Sequence, residues 1–79
     1  MIHQSLGDRL RYALDIRNIK HKDFASRIGI TNITLSRYIN GTRVPNAYMI
    51  RDICRELGIS SDWLLGMLED KHISGKETE

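Results

Sequence analysis

Three residues at fixed spacing between Lys22 and Asn40 predict two short helices joined by a glycine turn. Ala25 is small where two helices must nearly touch, Gly29 can adopt a positive φ in the turn, and Leu35 anchors the second helix. A helix-turn-helix of this kind typically places its second helix in the major groove of DNA. The chemistry that this spacing indicates is therefore hydrogen bonding and packing against base edges and phosphates.

Side chains suited to catalysis or metal binding are isolated from one another. The chain has one cysteine, Cys54, which excludes an internal disulfide and favours a reducing compartment. Cys54 lies on a predicted buried helix face, so a packed thiol is favoured over a redox sensor or a metal ligand. His3, His21 and His72 have no paired acid or histidine at ligand spacing, and no serine has an interpretable histidine partner. We therefore expect no enzyme, no metal and no cofactor.

Basic charge is concentrated in the first half of the 79-residue chain, although the formal net charge is only +2. Residues 1–45 carry eight Lys or Arg against three Asp, whereas residues 46–79 carry four against seven acidic residues. A basic surface around the helix-turn-helix is expected of a protein that faces phosphates, and the alternative is an ordinary solvated surface. No apolar run approaches the roughly 20 residues needed to cross a bilayer, so we expect a soluble, cytoplasmic protein.

Helical periodicity runs through most of the chain, and no alternating stretch indicates a strand. We expect an all-α domain over residues 1–68 and a polar, disordered tail over residues 69–79. The predicted helices run from the cap Ser5 to about Asn18, from His21 to Ile28, from the cap Thr31 to Tyr38 or Ile39, from the cap Asn46 to Leu57, and from the cap Ser60 to Leu65. The residues predicted to be buried are Leu6, Leu10, Ala13, Leu14, Phe24, Ala25, Ile28, Leu35, Ile50, Ile53, Cys54 and Leu57.

The order of these features resembles the helix-turn-helix regulators of the phage repressor and Cro type, also called the xenobiotic-response-element-like family. The matching residues are Phe24-Ala25, Gly29-Ile30-Thr31, Leu35-Ser36-Arg37-Tyr38, Asn40-Gly41, Pro45, Ile53 and Leu57-Gly58-Ile59-Ser60. The resemblance implies a compact five-helix, lambda-repressor-like domain whose third helix lies in the major groove of double-stranded DNA. It also implies a homodimer that reads an inverted repeat, most simply as a transcriptional repressor.

Within that arrangement, burial of Leu35 and Ile39 would leave the opposite side of helix 3 free to read bases. The predicted base-reading residues are Asn32, Ile33, Ser36 and Arg37. Arg37 would bond a guanine, Asn32 would pair with an adenine or bridge to a base through water, and Ile33 would pack on a thymine methyl group. The alternatives are a surface ion pair for Arg37 and a core position for Ile33. The predicted phosphate contacts are Lys20, His21, Lys22, Thr31, Thr34, Asn40 and Arg43.

Two departures from the family pattern affect these expectations. Family members commonly carry a Thr-Gln pair at the start of helix 2, where this chain has Lys20 and His21, which predicts a more electrostatic and pH-sensitive phosphate contact. Many members also bury an arginine of helix 1 against a glutamate of helix 3. The matching residues here are Leu14 and Ile39, so we expect an apolar contact between them.

The end of the domain allows two interpretations of its apolar residues. Trp63 would either close the core under helix 4 or form an edge for dimerisation together with Leu64, Met67 and Leu68. The acidic second half also offers a surface to a protein partner. The competing function is therefore a protein-interaction module, such as an antitoxin-like domain with secondary DNA binding.

Overall fold

The computed structural model describes residues 5–67, and these form five α-helices without a strand. The helices are α1 (Leu6–Ile16), α2 (His21–Ile28), α3 (Asn32–Asn40), α4 (Ala47–Leu57) and α5 (Ser61–Leu64). The predicted all-α, five-helix fold is thereby confirmed. The predicted tail at residues 69–79 lies outside the described residues, as do Leu68, His3 and His72.

Side-chain caps begin four of the five helices. A side-chain oxygen accepts a hydrogen bond of 2.9 to 3.1 Å from a backbone N–H in the first turn, which satisfies one of the donors that a helix start leaves unpaired. These caps are Ser5, Thr31, Asn46 and Ser60, in agreement with the sequence. α2 is the exception, because its cap residue Lys20 makes no capping bond with its side chain.

The helix ends differ from the predictions at two places. α1 ends at Ile16 rather than near Asn18, because Asn18 adopts a left-handed conformation with φ of 54°. α3 continues to Asn40, one residue beyond the predicted end, and stops at Gly41 with φ of 81°. The N–H of Gly41 bonds back to the last turn, and its positive φ carries a steric cost in any residue that has a Cβ.

One hydrophobic core joins all five helices. Its buried apolar members are Leu10, Ala13, Leu14, Phe24, Ala25, Leu35, Tyr38, Ile53, Cys54, Leu57, Ile59, Trp63 and Leu64. Leu6, Ile28, Ile39 and Ile50 are half-buried and pack against this cluster. Leu14 and Ile39 thus both belong to the apolar interior or its margin, where the resemblance would have placed an ion pair.

Gly7 permits the close approach of α1 to α3. A Cβ added at Gly7 would lie 2.7 Å from the carbonyl oxygen of Tyr38, and closer still to that of Ile39. Real Cβ atoms do not approach backbone oxygens so closely, so any larger residue would push the two helices apart. The position of the third helix therefore depends on a glycine in the first turn of the first helix.

Arg9 is a buried charged residue that the sequence analysis did not identify. Only 8% of it is exposed, and its Nη1 donates a hydrogen bond of 3.1 Å to the carbonyl oxygen of Trp63. The guanidinium also lies over the Trp63 ring, 5.2 Å from the ring centroid, which is within the range of a cation–π interaction. Arg9 therefore ties α5 to α1.

Candidate nucleic-acid interface

The helix-turn-helix is formed by α2, Gly29 and α3. Gly29 adopts a φ of 77°, and the N–H of Ile30 donates to the carbonyl oxygen of Ala25 at 2.9 Å, which closes the turn. Ala25 and Leu35 are 2% and 0% exposed, so both are packed between the helices as the spacing predicted. The interior of the unit is apolar and leaves the outer side of α3 to carry polar groups.

The outer side of α3 carries the four predicted base-reading residues. Leu35 and Tyr38 point into the core, whereas Asn32, Ile33, Ser36 and Arg37 are exposed. Their spacing along the helix places all four on one side, near its beginning. The structure thus brings these side chains together on a surface that a groove could receive.

The sequence left a second interpretation open for two of these residues: a core position for Ile33 and a surface ion pair for Arg37. Ile33 is 65% exposed, so it is not a core residue. Arg37 is exposed, and none of the ion pairs within residues 5–67 involves it. An exposed branched apolar side chain and an exposed guanidinium therefore lie about one helical turn apart, and both are accessible to a ligand outside the domain.

The cap of α3 orients a second hydroxyl group. Thr31 Oγ1 accepts from the backbone N–H of Thr34 at 3.1 Å and donates its own proton to Thr34 Oγ1 at 3.0 Å. The hydroxyl proton of Thr31 is therefore used in the bond to Thr34, whereas the hydroxyl proton of Thr34 remains available to another acceptor. Of these two predicted phosphate contacts, Thr34 is the better side-chain donor.

The start of α2 combines unpaired backbone donors with positive side chains. Lys20 and Lys22 are exposed, and no side chain caps the first turn. His21 is the first helical residue, and its Nε2 lies 4.0 Å from Asp15 Oδ1 at the end of α1. Exposed N–H groups, the helix dipole and two lysines together favour an anion at this position.

The segment after α3 is held against the end of that helix. The Arg37 carbonyl oxygen accepts hydrogen bonds from the backbone N–H groups of Thr42 at 3.0 Å and Arg43 at 3.3 Å. These bonds keep the chain close to α3, while the side chains of Asn40 and Arg43 remain exposed. The two remaining predicted phosphate contacts therefore lie directly beyond the base-reading helix.

One ion pair connects α2 of the helix-turn-helix to α4. Arg27 Nη1 on α2 lies 3.5 Å from Glu56 Oε2 on α4, and both side chains are partly exposed. Exposed pairs of this kind contribute about 0 to 1 kcal/mol, so the apolar core, more than this pair, holds α2 in place.

The predicted dimer edge is wrong for two of its four residues. Trp63 and Leu64 are 0% exposed, because α5 turns both side chains into the core, and neither has surface left for a partner. Met67 is 71% exposed and the neighbouring Leu65 is 51% exposed. The apolar surface at this end of the described chain is therefore formed by Leu65 and Met67.

Metal ligands and a reactive thiol were the other chemistries weighed from the sequence. These residues contain no group of three or more His, Cys, Asp or Glu side chains that could hold a metal ion. Burial raises the pKa of the Cys54 thiol, which opposes formation of the reactive thiolate. In the same range, none of the helices is long and apolar enough to cross a membrane.

Comparisons with known proteins agree with this geometry. Residues 7–66 match the profile of a family described as a helix-turn-helix domain. A crystal structure of the P22 c2 repressor in complex with a synthetic operator is similar, with 23% identity and a TM-score of 0.77 over 82% of this chain and 98% of that one. A solution structure of the DNA-binding domain of the P22 c2 repressor gives 23% identity and a TM-score of 0.78 over 94% and 99% of the two chains. No curated protein matches the chain. The predicted membership of a helix-turn-helix family is confirmed, and the predicted repressor-like fold is shared with these two structures.

Proposed function

The chain belongs to the helix-turn-helix domain family, and we propose that it binds double-stranded DNA sequence-specifically as a transcriptional regulator, most simply a repressor that occludes a promoter. The observation that carries this proposal is the outer side of α3, where Ile33 is 65% exposed beside an Arg37 that forms no ion pair within residues 5–67. We propose that this regulator acts in the cytoplasm. It is not an enzyme.

The base-reading roles follow from the hydrogen bonds that each side chain can make to a base and from the apolar surface that it can pack against one. Arg37 presents a planar fork of donors that fits O6 and N7 of a guanine, and the Asn32 amide can both donate to and accept from an adenine. Ile33 has only apolar surface, which suits a thymine methyl group. Ser36 supplies one short hydroxyl that adapts to several bases.

The phosphate-contacting roles fall on both sides of α3. Lys20, His21 and Lys22 would hold one phosphate at the uncapped start of α2, where backbone N–H groups add to the side-chain charge. Thr34 would donate its free hydroxyl proton, and Asn40 and Arg43 would reach the backbone beyond the end of the helix. Thr31 contributes indirectly, because its own proton is bonded to Thr34.

A homodimer would place two such surfaces on an inverted repeat, with half-sites separated by one duplex turn, roughly 34 Å. The exposed apolar residues Leu65 and Met67 are the candidates for its edge, since Trp63 and Leu64 are buried. A variant with Leu65→Ser and Met67→Ser should sediment as a folded monomer if this edge is used. An unchanged mass, measured at the same concentration as wild type, would exclude it.

The proposal is tested by selection from a random duplex library at near-physiological salt. We expect enrichment of an inverted repeat, because two identical reading helices related by a twofold axis contact two identical half-sites. The selected duplex should bind at least 10³-fold tighter than unrelated DNA at the same salt concentration, the lower end for specific binders. If the protein instead retains all duplexes equally and this binding depends strongly on salt, it contacts phosphates without recognising the base sequence.

A protein-interaction role is the second candidate, and one observation favours it. A groove of about 540 Å³ between α4 and α5 is lined largely by apolar residues, including Ala47, Ile50, Ile59 and Leu65. Grooves of this kind accept the apolar face of a partner helix. Failure to enrich any sequence, together with co-purification of a stoichiometric protein partner, would favour this role over DNA reading.

A further inference from the structure

We propose that Arg9 is a positioning residue for operator reading, because it fixes the dimer edge relative to α3 and so determines which separation of half-sites the dimer accepts. The inference rests on the homodimer and the edge at Leu65 and Met67 proposed above, and it concerns the specificity of that same function. It is carried by two contacts that α1 makes on opposite sides, one with α3 and one with the end of α5.

The first contact joins α1 to the recognition helix through the backbone. Gly7 lies so close to the carbonyl groups of Tyr38 and Ile39 that a Cβ does not fit between them. Residues two positions apart in an α-helix point about 200° away from each other. Arg9 therefore projects from the side of α1 opposite to this contact, so that α1 connects the end of α3 on one side with the end of α5 on the other.

The second contact holds the last turn of α5. Arg9 Nη1 donates to the Trp63 carbonyl oxygen at 3.1 Å, and the N–H of Gly66 donates to the same oxygen at 3.0 Å. Carbonyl groups in the last turn of a helix lack a full set of helical partners and carry partial negative charge, which favours a cation beside them. The guanidinium also covers the Trp63 ring, and Arg9 is only 8% exposed, so this contact is shielded from water.

The dimer edge follows directly from the turn that Arg9 holds. α5 is only four residues long, and a helix of this length is not stable without tertiary contacts. Leu65 and Met67 flank Gly66, whose N–H shares the Trp63 oxygen with Arg9. An added Cβ at Gly66 would lie 3.8 Å from Arg9 Nε, so the guanidinium also adjoins the backbone between the two exposed side chains. A rotation of this turn would move both residues of the edge.

The accepted spacing depends on how rigidly the edge is held. A dimer separates its two α3 helices by a distance that is set by the position of the edge relative to α3 in each protomer. One added base pair between the half-sites shifts them by about 3.4 Å and rotates them by about 35°. A fixed edge does not follow such a change, whereas a loosened edge does. Because Trp63 and Leu64 are 0% exposed, the core still retains α5 when Arg9 is replaced, and mainly the turn after it gains freedom.

Binding to duplexes of different half-site spacing tests the proposal. Wild type and Arg9→Met, which keeps a long apolar side chain without charge or donors, are titrated with the selected operator, with versions one base pair shorter or longer between the half-sites, and with a single half-site. We expect wild type to prefer the selected spacing by about 5- to 150-fold, the usual range for coupling between two sites. Arg9→Met should lose most of this preference but bind the single half-site as tightly as wild type. Equal preference in both proteins would overturn the proposal.

Two control variants separate positioning from lost charge and lost stability. Arg11→Met removes an exposed arginine from the same helix, and Ser5→Ala removes the cap of α1 without touching α5. Both should keep the spacing preference of wild type. A loss in either control as large as that in Arg9→Met would contradict a positioning role, since it would follow from charge or stability alone.

Arg9→Lys provides a second variant of the contact itself. Lysine keeps the charge but offers neither the planar fork nor the stacking surface that the guanidinium presents to Trp63. We expect a spacing preference between those of wild type and Arg9→Met. Circular dichroism verifies that each variant is folded. If Arg9→Met does not fold, Arg9→Lys decides the question, and a preference equal to that of wild type overturns the proposal.

The outcomes distinguish this inference from the function on which it rests. If wild type enriches no inverted repeat, the proposed function has failed, and this inference fails with it. If the variant with Leu65→Ser and Met67→Ser keeps the mass of wild type, the edge lies elsewhere and the inference is overturned while DNA reading stands. If wild type prefers one spacing and Arg9→Met keeps that preference, only this inference has failed.

Discussion

Replacement of Gly7 by alanine tests the packing that fixes the recognition helix. The added Cβ would lie 2.7 Å from the Tyr38 carbonyl oxygen and 2.8 Å from the Ile39 carbonyl carbon, with the Ile39 oxygen closer still. Optimal contacts between non-bonded heavy atoms are about 3.5 to 4.0 Å, so α1 and α3 must separate by roughly 1 Å. The atoms in conflict belong to the backbone of α3 and cannot rotate away as a side chain would.

The expected loss follows from overpacking. Forcing extra volume into a packed contact typically costs about 1 to 3 kcal/mol, occasionally more, and the helix propensity of alanine returns at most about 1 kcal/mol. We expect Gly7→Ala to lower the free energy of unfolding by about 1 to 3 kcal/mol. In a domain of this size, each kcal/mol of lost stability lowers Tm by about 4 to 8 °C.

Thermal and urea unfolding followed by circular dichroism measure this loss. Gly58→Ala is the matched control, since Gly58 has a φ of 66° but no atom within 4 Å of an added Cβ, so it tests conformational strain without a clash. The strain of one left-handed alanine is about 1 to 2 kcal/mol. Operator affinity distinguishes the two variants further: only Gly7→Ala should displace α3 and weaken binding by the folded protein. A Gly7→Ala protein as stable as wild type, with unchanged operator affinity, would refute the close approach of α1 to α3.

Three further perturbations address the core, a helix cap and the buried thiol. Leu14→Ala removes a fully buried side chain and should cost about 2 to 5 kcal/mol in urea unfolding, whereas a loss well under 1 kcal/mol would place Leu14 outside the core. Ser5→Ala removes the hydrogen bond to the Asp8 N–H and should cost about 1 kcal/mol, and Ser5→Asp should restore most of it. Because burial raises the pKa of Cys54, its alkylation by iodoacetamide at pH 8 should be slower than that of an unfolded chain. The same shift makes the fold less stable as the pH rises above the ordinary range of a thiol, since the unfolded chain ionises first. Equal alkylation rates in the folded and urea-unfolded protein would show that the thiol is not shielded.

The helices were predictable because local signals agree with the packing. Ser5, Thr31, Asn46 and Ser60 each supply a capping oxygen, and Gly29 ends α2 as expected. These signals act within a few residues, so the sequence alone reveals them. The ends of α1 and α3 differ by one or two residues because the final turn depends on backbone conformation, as at Asn18.

Features that depend on distant contacts were missed. The burial of Arg9 follows from its bond to the Trp63 carbonyl, 54 residues away, and nothing in the local pattern of α1 distinguishes Arg9 from a solvated arginine. Gly7 left a signal that was not used, since a glycine inside a helical pattern often marks a close approach. The dimer edge was misplaced because the periodicity of α5, only four residues long, cannot tell which side of so short a helix faces inward.

The candidate site was more predictable than the supporting contacts. A helix with one buried side identifies its opposite side, so burial of Leu35 was sufficient to locate Asn32, Ser36 and Arg37 on the outer surface. The pairing of His21 with Asp15 was not predictable, because it depends on how α1 approaches α2.

Arg37 on α3 is proposed to read a base, and this role is tested by changing both Arg37 and the guanines of the operator. Wild type and Arg37→Ala are compared on the selected operator and on duplexes in which single guanines are replaced by 7-deazaguanine, which lacks the N7 acceptor. We expect wild type to lose affinity at one symmetric guanine of each half-site, within the range of about 1 to 3 kcal/mol for a bidentate contact, and Arg37→Ala to lose none there. Equal losses in both proteins at every guanine would contradict it.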